Sequence, residues 1–305
     1  MSIEKRIIDS PEMERVIKFV KAMTKTMTFD ENMAKENWPK ARKRNNIFYR
    51  MMPKEKGTKS EKVKLGKGRA LLVTDGATND ENIIVYFHGG GFVTGSAFVT
   101  QSYTSMLARY SGNKVYSVDY SLAPEKPYPI GFNDCCEAFE CLMEKYPSAR
   151  FSLIGESAGG NFALTVALKY KETGRISSVS AHSATVDFSG AVDHTLNQNK
   201  DIIVKLGTSK AMHDVYVKDH DAKNPLLSPY YGDFNGFPPV FITCDVNETL
   251  YGDSKALYEK CIEAGVETKM IEFEGGYHAC AISGVNTPET KKLLKENIEF
   301  MKANY

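Results

Sequence analysis

Residues 155–159 read Gly-Glu-Ser-Ala-Gly, and their flanks constrain the fold more than the pentapeptide itself. The apolar run Phe151-Ser152-Leu153-Ile154 precedes them, and a helix-like run, residues 161–170, follows. A serine caught between a buried strand and a helix must sit on a tight turn. The flanking glycines let the backbone close up there, and the hydroxyl is pushed outward. The helix N-terminus behind it favours negative charge developing beside that hydroxyl. Without these flanks the same five residues would be an ordinary glycine turn. Ser157 is therefore a candidate nucleophile.

The strand and helix around Ser157 belong to a longer alternation. Short apolar, β-branched runs recur at residues 82–87, 114–119, 151–154, 239–244 and 268–273, and a further strand is expected near 177–182. Helix-like stretches lie near 100–111, 131–145, 158–172, 250–264 and 288–302. This order predicts an α/β architecture with a mostly parallel sheet covered on both faces. With 305 residues and 42% hydrophobic side chains, the chain can bury one large core. The opening twenty residues read as an amphipathic helix, with Ile3, Ile7, Val16, Ile17 and Val20 among its apolar positions. They mix acids and bases and lack the apolar core of a secretory signal. Helix-like sequence continues to about Met51, and residues 51–62 read as a linker. Residues 188–224 interrupt the rhythm as a polar, helix-like insertion. Together with the N-terminal segment, residues 1–55, this insertion is expected to form a helical cap over a catalytic domain of residues 56–305. His194, His213 and His220 in the insertion match no metal-ligand spacing and are expected at the surface.

Two further glycine clusters follow predicted strands. His88-Gly89-Gly90-Gly91-Phe92 comes directly after residues 82–87. Acyl transfer generates an oxyanion that needs preset N–H donors, and glycines expose their N–H groups without side chains in the way. Gly90 and Gly91, with Ala158 as a third, are the candidate donors. The loop is not a phosphate loop, since it lacks both G-x-G-x-x-G and a following Lys-Ser/Thr. His88 reads as a structural residue that shapes the loop. Gly275-Gly276-Tyr277-His278 follows the last predicted strand. A serine hydroxyl needs a base, histidine titrates in the useful range, and a late loop can reach the serine at the carboxyl edge of the sheet. His278 is thus the candidate base. His182, on an earlier strand, is its competitor and breaks the order serine, acid, histidine. The orienting acid must lie between them, and spacing leaves Asp245, Glu248 and Asp253 open.

Lys plus Arg number 39 and Asp plus Glu 38, a net charge of +1. Nucleic acid is not an expected partner on this balance. No apolar run is long enough to span a bilayer, so stable membrane insertion is not expected. The six cysteines form no zinc-like spaced pairs, and a chain this large needs no disulfide staples. Reduced thiols in a cytoplasmic protein are the simplest reading, with Cys280 beside the candidate base filling space.

Taken in order, HGGGF (88–92), DYSLAPEKPYP (119–129), GESAGG (155–160), NPLLSPYYGD (224–233) with FPPVFIT (237–243), and GYHA (276–279) resemble the hormone-sensitive-lipase-like esterases. That group includes bacterial carboxylesterases and arylacetamide deacetylase. The resemblance spans about residues 82–300 and implies the α/β-hydrolase fold with a helical cap. It also implies the acid. The family's acid-x-Leu pattern falls on Glu248-Thr249-Leu250, so Glu248 takes the role and Asp245 is the alternative. Three departures stand out: Glu156 where aspartate is usual, Ser121 where arginine is usual, and Gly252 after the acid. The implied activity is hydrolysis of a small ester with a short acyl chain, through an acyl-enzyme and with no metal or organic cofactor. The rivals are a deacetylase of amides or acetylated sugars, and a non-catalytic small-ligand receptor on the same fold. The sequence leaves the oligomeric state open, a homodimer included.

Overall fold

The computed structural model describes residues 2–26, 42, 43, 46, 52–76, 79–197, 200–283 and 285–305. Its centre is a nine-stranded sheet in the order β1-β9-β8-β7-β6-β4-β5-β3-β2. The strands are β1 (Ser2–Ile7), β2 (Lys59–Leu65), β3 (Gly68–Thr74), β4 (Asn79–Phe87), β5 (Asn113–Val118), β6 (Arg150–Glu156), β7 (Ile176–His182), β8 (Val240–Asp245) and β9 (Thr268–Glu274). All pairings from β1 through β5 are parallel, while β5–β3 and β3–β2 are antiparallel. The central strands β7 and β8 are buried along their whole length, as continuous apolar and small residues require when helices cover both faces.

Seven helices are described: α1 (Pro11–Thr26), α2 (Gln101–Ser111), α3 (Ile130–Lys145), α4 (Ala158–Tyr170), α5 (Leu206–Val217), α6 (Tyr251–Glu263) and α7 (Pro288–Ala303). Phe132 and Phe139 of α3, Phe162 and Leu164 of α4 and Leu257 of α6 fill one side of the core. Leu107 of α2, Met13 of α1 and Leu293 and Ile298 of α7 fill the other. The chain therefore has the α/β-hydrolase architecture, and α5 is its helical cap. Tyr216 of α5 stacks on Phe92 with ring centres 3.9 Å apart.

The N-terminal expectation needs correction. Residues 2–7 are a strand parallel to β9, with Ser2 opposite Lys269 and Ile7 opposite Glu274. Ile3 and Ile7 are four apart, a spacing that satisfies the helical period and the strand period alike. The helix begins only at Pro11, where the Ser10 hydroxyl accepts the Met13 N–H at 3.0 Å. Val16, Ile17 and Val20 do lie on α1 and pack against the core. The first 55 residues are thus not all helical. The helix-like reading of residues 27–51 falls largely outside the described residues.

Two more elements depart from expectation. The linker at 51–62 runs into β2, which forms a hairpin with β3 around Gly66 and Lys67. β2 is mostly exposed and carries four charged side chains in Lys-Ser-Glu-Lys-Val-Lys-Leu, so no apolar alternation marks it. Among the described residues, the insertion 188–224 is helical only over α5. Its histidines are not all at the surface. His194 Nε2 meets the buried Asp253 carboxylate, and burial against Phe188 pushes the His213 imidazole down to about 3. Gly252 makes room for this arrangement, because a Cβ there would come within 2.8 Å of the Asp193 carbonyl.

Candidate active site

Gly90, Gly91, Ser157, Ala158, Glu248 and His278 each lie just beyond the carboxyl end of a parallel strand. Ser157 joins β6 to α4 with φ 55° and ψ −121°, a strained conformation for a residue with a Cβ. Its N–H donates to the His182 carbonyl at 2.9 Å, and its carbonyl accepts from Asn161 N–H at 3.2 Å. The neighbouring glycines are sterically required. A Cβ at Gly155 would lie 2.2 Å from the Gly159 carbonyl oxygen, and one at Gly159 would lie 2.0 Å from that of Phe87. The Ser157 side chain is half-buried and spends no hydrogen bond on capping α4.

The loop after β4 is shaped by positive φ at Gly90 (124°), Gly91 (60°) and Phe92 (64°). It closes on itself through Thr94 N–H to the Gly90 carbonyl at 2.9 Å. His88 is buried and holds the loop rather than the chemistry. Its Nδ1 lies 2.8 Å from the Gly89 carbonyl oxygen, and its ring stacks on Tyr120 at 4.1 Å. Arg42 adds a fork that sequence reasoning missed: Nε donates to the Val93 carbonyl at 2.5 Å, and the guanidinium also meets the Ala123 carbonyl and the Glu125 carboxylate. Ala158 is the first residue of α4, where N–H groups have no partner within the helix.

Glu156 locks the serine turn to this loop. Its carboxylate accepts the Gly89 N–H at 2.7 Å and the Tyr86 hydroxyl at 2.5 Å. Burial pushes its carboxyl up to about 7, against these two bonds, which favour the ionised form. A carboxyl whose folded-state value is raised holds its proton longer folded than unfolded. Its contribution to stability therefore falls as pH rises from about 4.5 towards 7 and beyond. Glu156→Gln removes that dependence. Urea unfolding at pH 5 and pH 8 should show wild type losing up to about 3 kcal/mol relative to the variant across this window. Parallel pH profiles would contradict the burial argument.

Of the three open carboxylates, the fold brings one to the histidine. Glu248 Oε2 lies 3.3 Å from His278 Nδ1 and accepts the Ser183 hydroxyl at 2.8 Å. Asp245 is occupied elsewhere, accepting Asn247 N–H at 2.9 Å and Gly276 N–H at 2.7 Å. Asp253 accepts Val186 N–H at 2.6 Å and faces His194. Ser183, with φ 49°, also accepts the Ala279 N–H at 3.1 Å and so ties the acid to the histidine loop. His278 is buried, and its Nε2 makes no hydrogen bond among the described residues. Burial pulls the imidazole's pKa down, but the Glu248 carboxylate, with Asp201 and Glu156, outweighs it and holds it above the ordinary range. His182 is excluded as its competitor. It is buried between Thr243 and Asn297, and burial pushes it down to about 3.

Among the described residues no cluster of three or more His, Cys, Asp or Glu could hold a metal ion, and no helix is long and apolar enough to cross a membrane. Residues 84–282 match the model of a family described by its alpha/beta hydrolase fold, and the chain belongs to that family. Within it the kinship is to the hormone-sensitive-lipase group. The crystal structure of an esterase from the bacterial hormone-sensitive lipase family superposes with a TM-score of 0.88 at 26% identity, covering 97% of this chain and 99% of that one. A hormone-sensitive lipase from a metagenome library gives 0.84 at 27% identity, covering 93% and 98%. An acetyl-hydrolase of Streptomyces hygroscopicus is 28% identical over 207 residues, 66% of this chain and 69% of the relative. An esterase of Acinetobacter venetianus is 28% identical over 227 residues, covering 72% and 74%. At family level the chain is an esterase or hydrolase of this group.

Proposed function

We propose that the chain hydrolyses small carboxylic esters with short acyl chains through an acyl-enzyme on Ser157. His278 Nε2 takes the hydroxyl proton as Ser157 Oγ attacks the ester carbonyl carbon. The N–H groups of Gly90, Gly91 and Ala158 receive the oxyanion. His278 returns the proton to the leaving alcohol, then activates a water that releases the acid and restores the serine. Glu248 orients the imidazole and stabilises its charged form. The observation that carries this reading is the buried His278–Glu248 pair at 3.3 Å, on the same sheet edge as a serine in a strained strand-to-helix turn.

The short-chain preference rests on the resemblance to the hormone-sensitive-lipase-like esterases. Tyr216 and Phe188 close over Phe92 of the glycine loop, with ring centres at 3.9 and 5.7 Å. The cap in this reading comprises residues 188–224 together with part of the N-terminal segment. All six thiols are unpaired, which fits a reducing compartment, and we assign the protein to the cytoplasm.

Hydrolysis of p-nitrophenyl esters from acetate to dodecanoate tests the substrate class, with anilides and acetylated sugars alongside. Turnover should peak at two to four acyl carbons and fall about tenfold or more by decanoate. A preference for long-chain triglyceride would refute the short-chain reading. Greater activity on acetanilide or acetylated sugar would favour the deacetylase reading, as the acetyl-hydrolase relative suggests.

A further inference from the structure

The loop that carries Glu248 is held from within by the Asn247 and Glu248 N–H groups, which donate to the Asp245 carboxylate and carbonyl at 2.9 and 3.1 Å, and it is also held from outside. Asn197 Nδ2 donates to the Val246 carbonyl at 2.7 Å and to the Glu248 carbonyl at 3.2 Å. The Thr249 N–H donates to Asp201 Oδ2 at 2.8 Å, and the Thr249 hydroxyl donates to the Val204 carbonyl at 2.7 Å. Four hydrogen bonds thus run from the insertion between β7 and β8 to residues 246–249. Asp201 is itself fixed, because its other oxygen accepts the Ile203 and Val204 N–H groups at 2.8 and 2.9 Å. Asn197 and Asp201 are both buried. A buried carboxylate costs free energy unless its partners are worth it, and this one spends both oxygens on backbone donors.

We propose that Asn197 and Asp201 are positioning residues for Glu248, so that the insertion sets the acid's geometry as well as covering the site. The inference rests on the reading of His278 as base and Glu248 as its acid. Asp201 also contributes charge. The groups that face His278 are Glu248 from the loop after β8, Asp201 from the insertion and Glu156 from the end of β6, with Asp245 and Cys280 at the base of the histidine loop. Removing the Asp201 charge leaves the imidazolium less favoured.

The two residues therefore separate in a pH–rate experiment on p-nitrophenyl acetate. Rates are normalised to active sites counted by reaction with a phosphonate. Asn197→Ala keeps the charge and loosens the loop, so kcat should fall about 10- to 100-fold with KM nearly unchanged and the acidic limb of kcat/KM in place. Asp201→Asn should lower kcat and also move that limb to lower pH. A scaffold role alone would lower the melting temperature or the active fraction, while kcat per active site and the limb would stay as in wild type. That outcome overturns the proposal. Should either variant fail to fold, Asn197→Ser withdraws the amide from the Val246 and Glu248 carbonyls with less lost volume, and a kcat per site equal to wild type would overturn it. If wild type itself lacks Ser157-dependent turnover, the reading of the site fails. If Glu248→Ala is crippled while all three variants match wild type, only this inference fails.

Discussion

Ser157→Ala is expected to lower kcat on p-nitrophenyl acetate by about 10⁶-fold, the scale seen when a triad nucleophile is removed. The fold should survive. The Ser157 hydroxyl makes no capping bond, so removing it leaves no backbone group of α4 newly unpaired. The strain at φ 55° belongs to the Cβ, which alanine keeps. Thermal unfolding should therefore match wild type within a few degrees while turnover disappears. The strained backbone is what aims the hydroxyl, so stability and activity separate at this position. Residual turnover within about 100-fold of wild type would show that another group attacks the ester.

Glu248→Ala should reduce kcat by about 10³- to 10⁴-fold, and Asp245→Ala far less. The geometry makes the distinction. Glu248 faces the imidazole at 3.3 Å, whereas Asp245 spends its oxygens on the N–H groups of Asn247 and Gly276. Asp245→Ala should appear mainly as lost stability, since it unties the base of the histidine loop. The pH profile gives a second readout. The proposed mechanism needs neutral His278, whose titration Glu248 holds above the ordinary histidine value of about 6.5. Activity should accordingly rise with pH through a limb above that value, and in Glu248→Ala the limb should move to lower pH. The reverse ranking of the two variants, or a limb unmoved by Glu248→Ala, would mean that a different carboxylate orients the base.

Legibility in the sequence followed the range of the interactions. The turn at Ser157, the loop at Gly90 and Gly91 and the loop at His278 were readable because each is a few residues wedged between a strand and its successor. Glycine there answers a local steric demand. The acid was not readable from spacing, since Asp245 ends β8 and Glu248 and Asp253 follow close behind it. Resemblance pointed to Glu248; side-chain direction, fixed only by packing, separates the three. Asn197, Asp201, Ser183 and Arg42 left still less trace. Each acts on backbone atoms of a loop distant in sequence, and no hydrophobic period encodes such a contact. At most, Asp201 two and three residues before the amides it accepts hints at a local turn. β1 was misread because Ile3 and Ile7 serve two periods, and β2 because its pairing is carried by backbone bonds under a charged surface.

The pairing of β1 with β9 has a consequence for how the protein is made. Residue 2 finds its partner at residue 269, so β1 must wait until every strand between them has been made before it can dock. Until then one margin of the growing sheet is open, and β9 has no outer neighbour. The docking also reaches the chemistry. Ile8 N–H donates to the Glu274 carbonyl at 2.9 Å, and the Ile8 side chain occupies the space where a Cβ on Gly276 would project. The loop bearing His278 is thus braced by residues far earlier in the sequence. The loop bearing His278 can settle only once β1 and β9 have met.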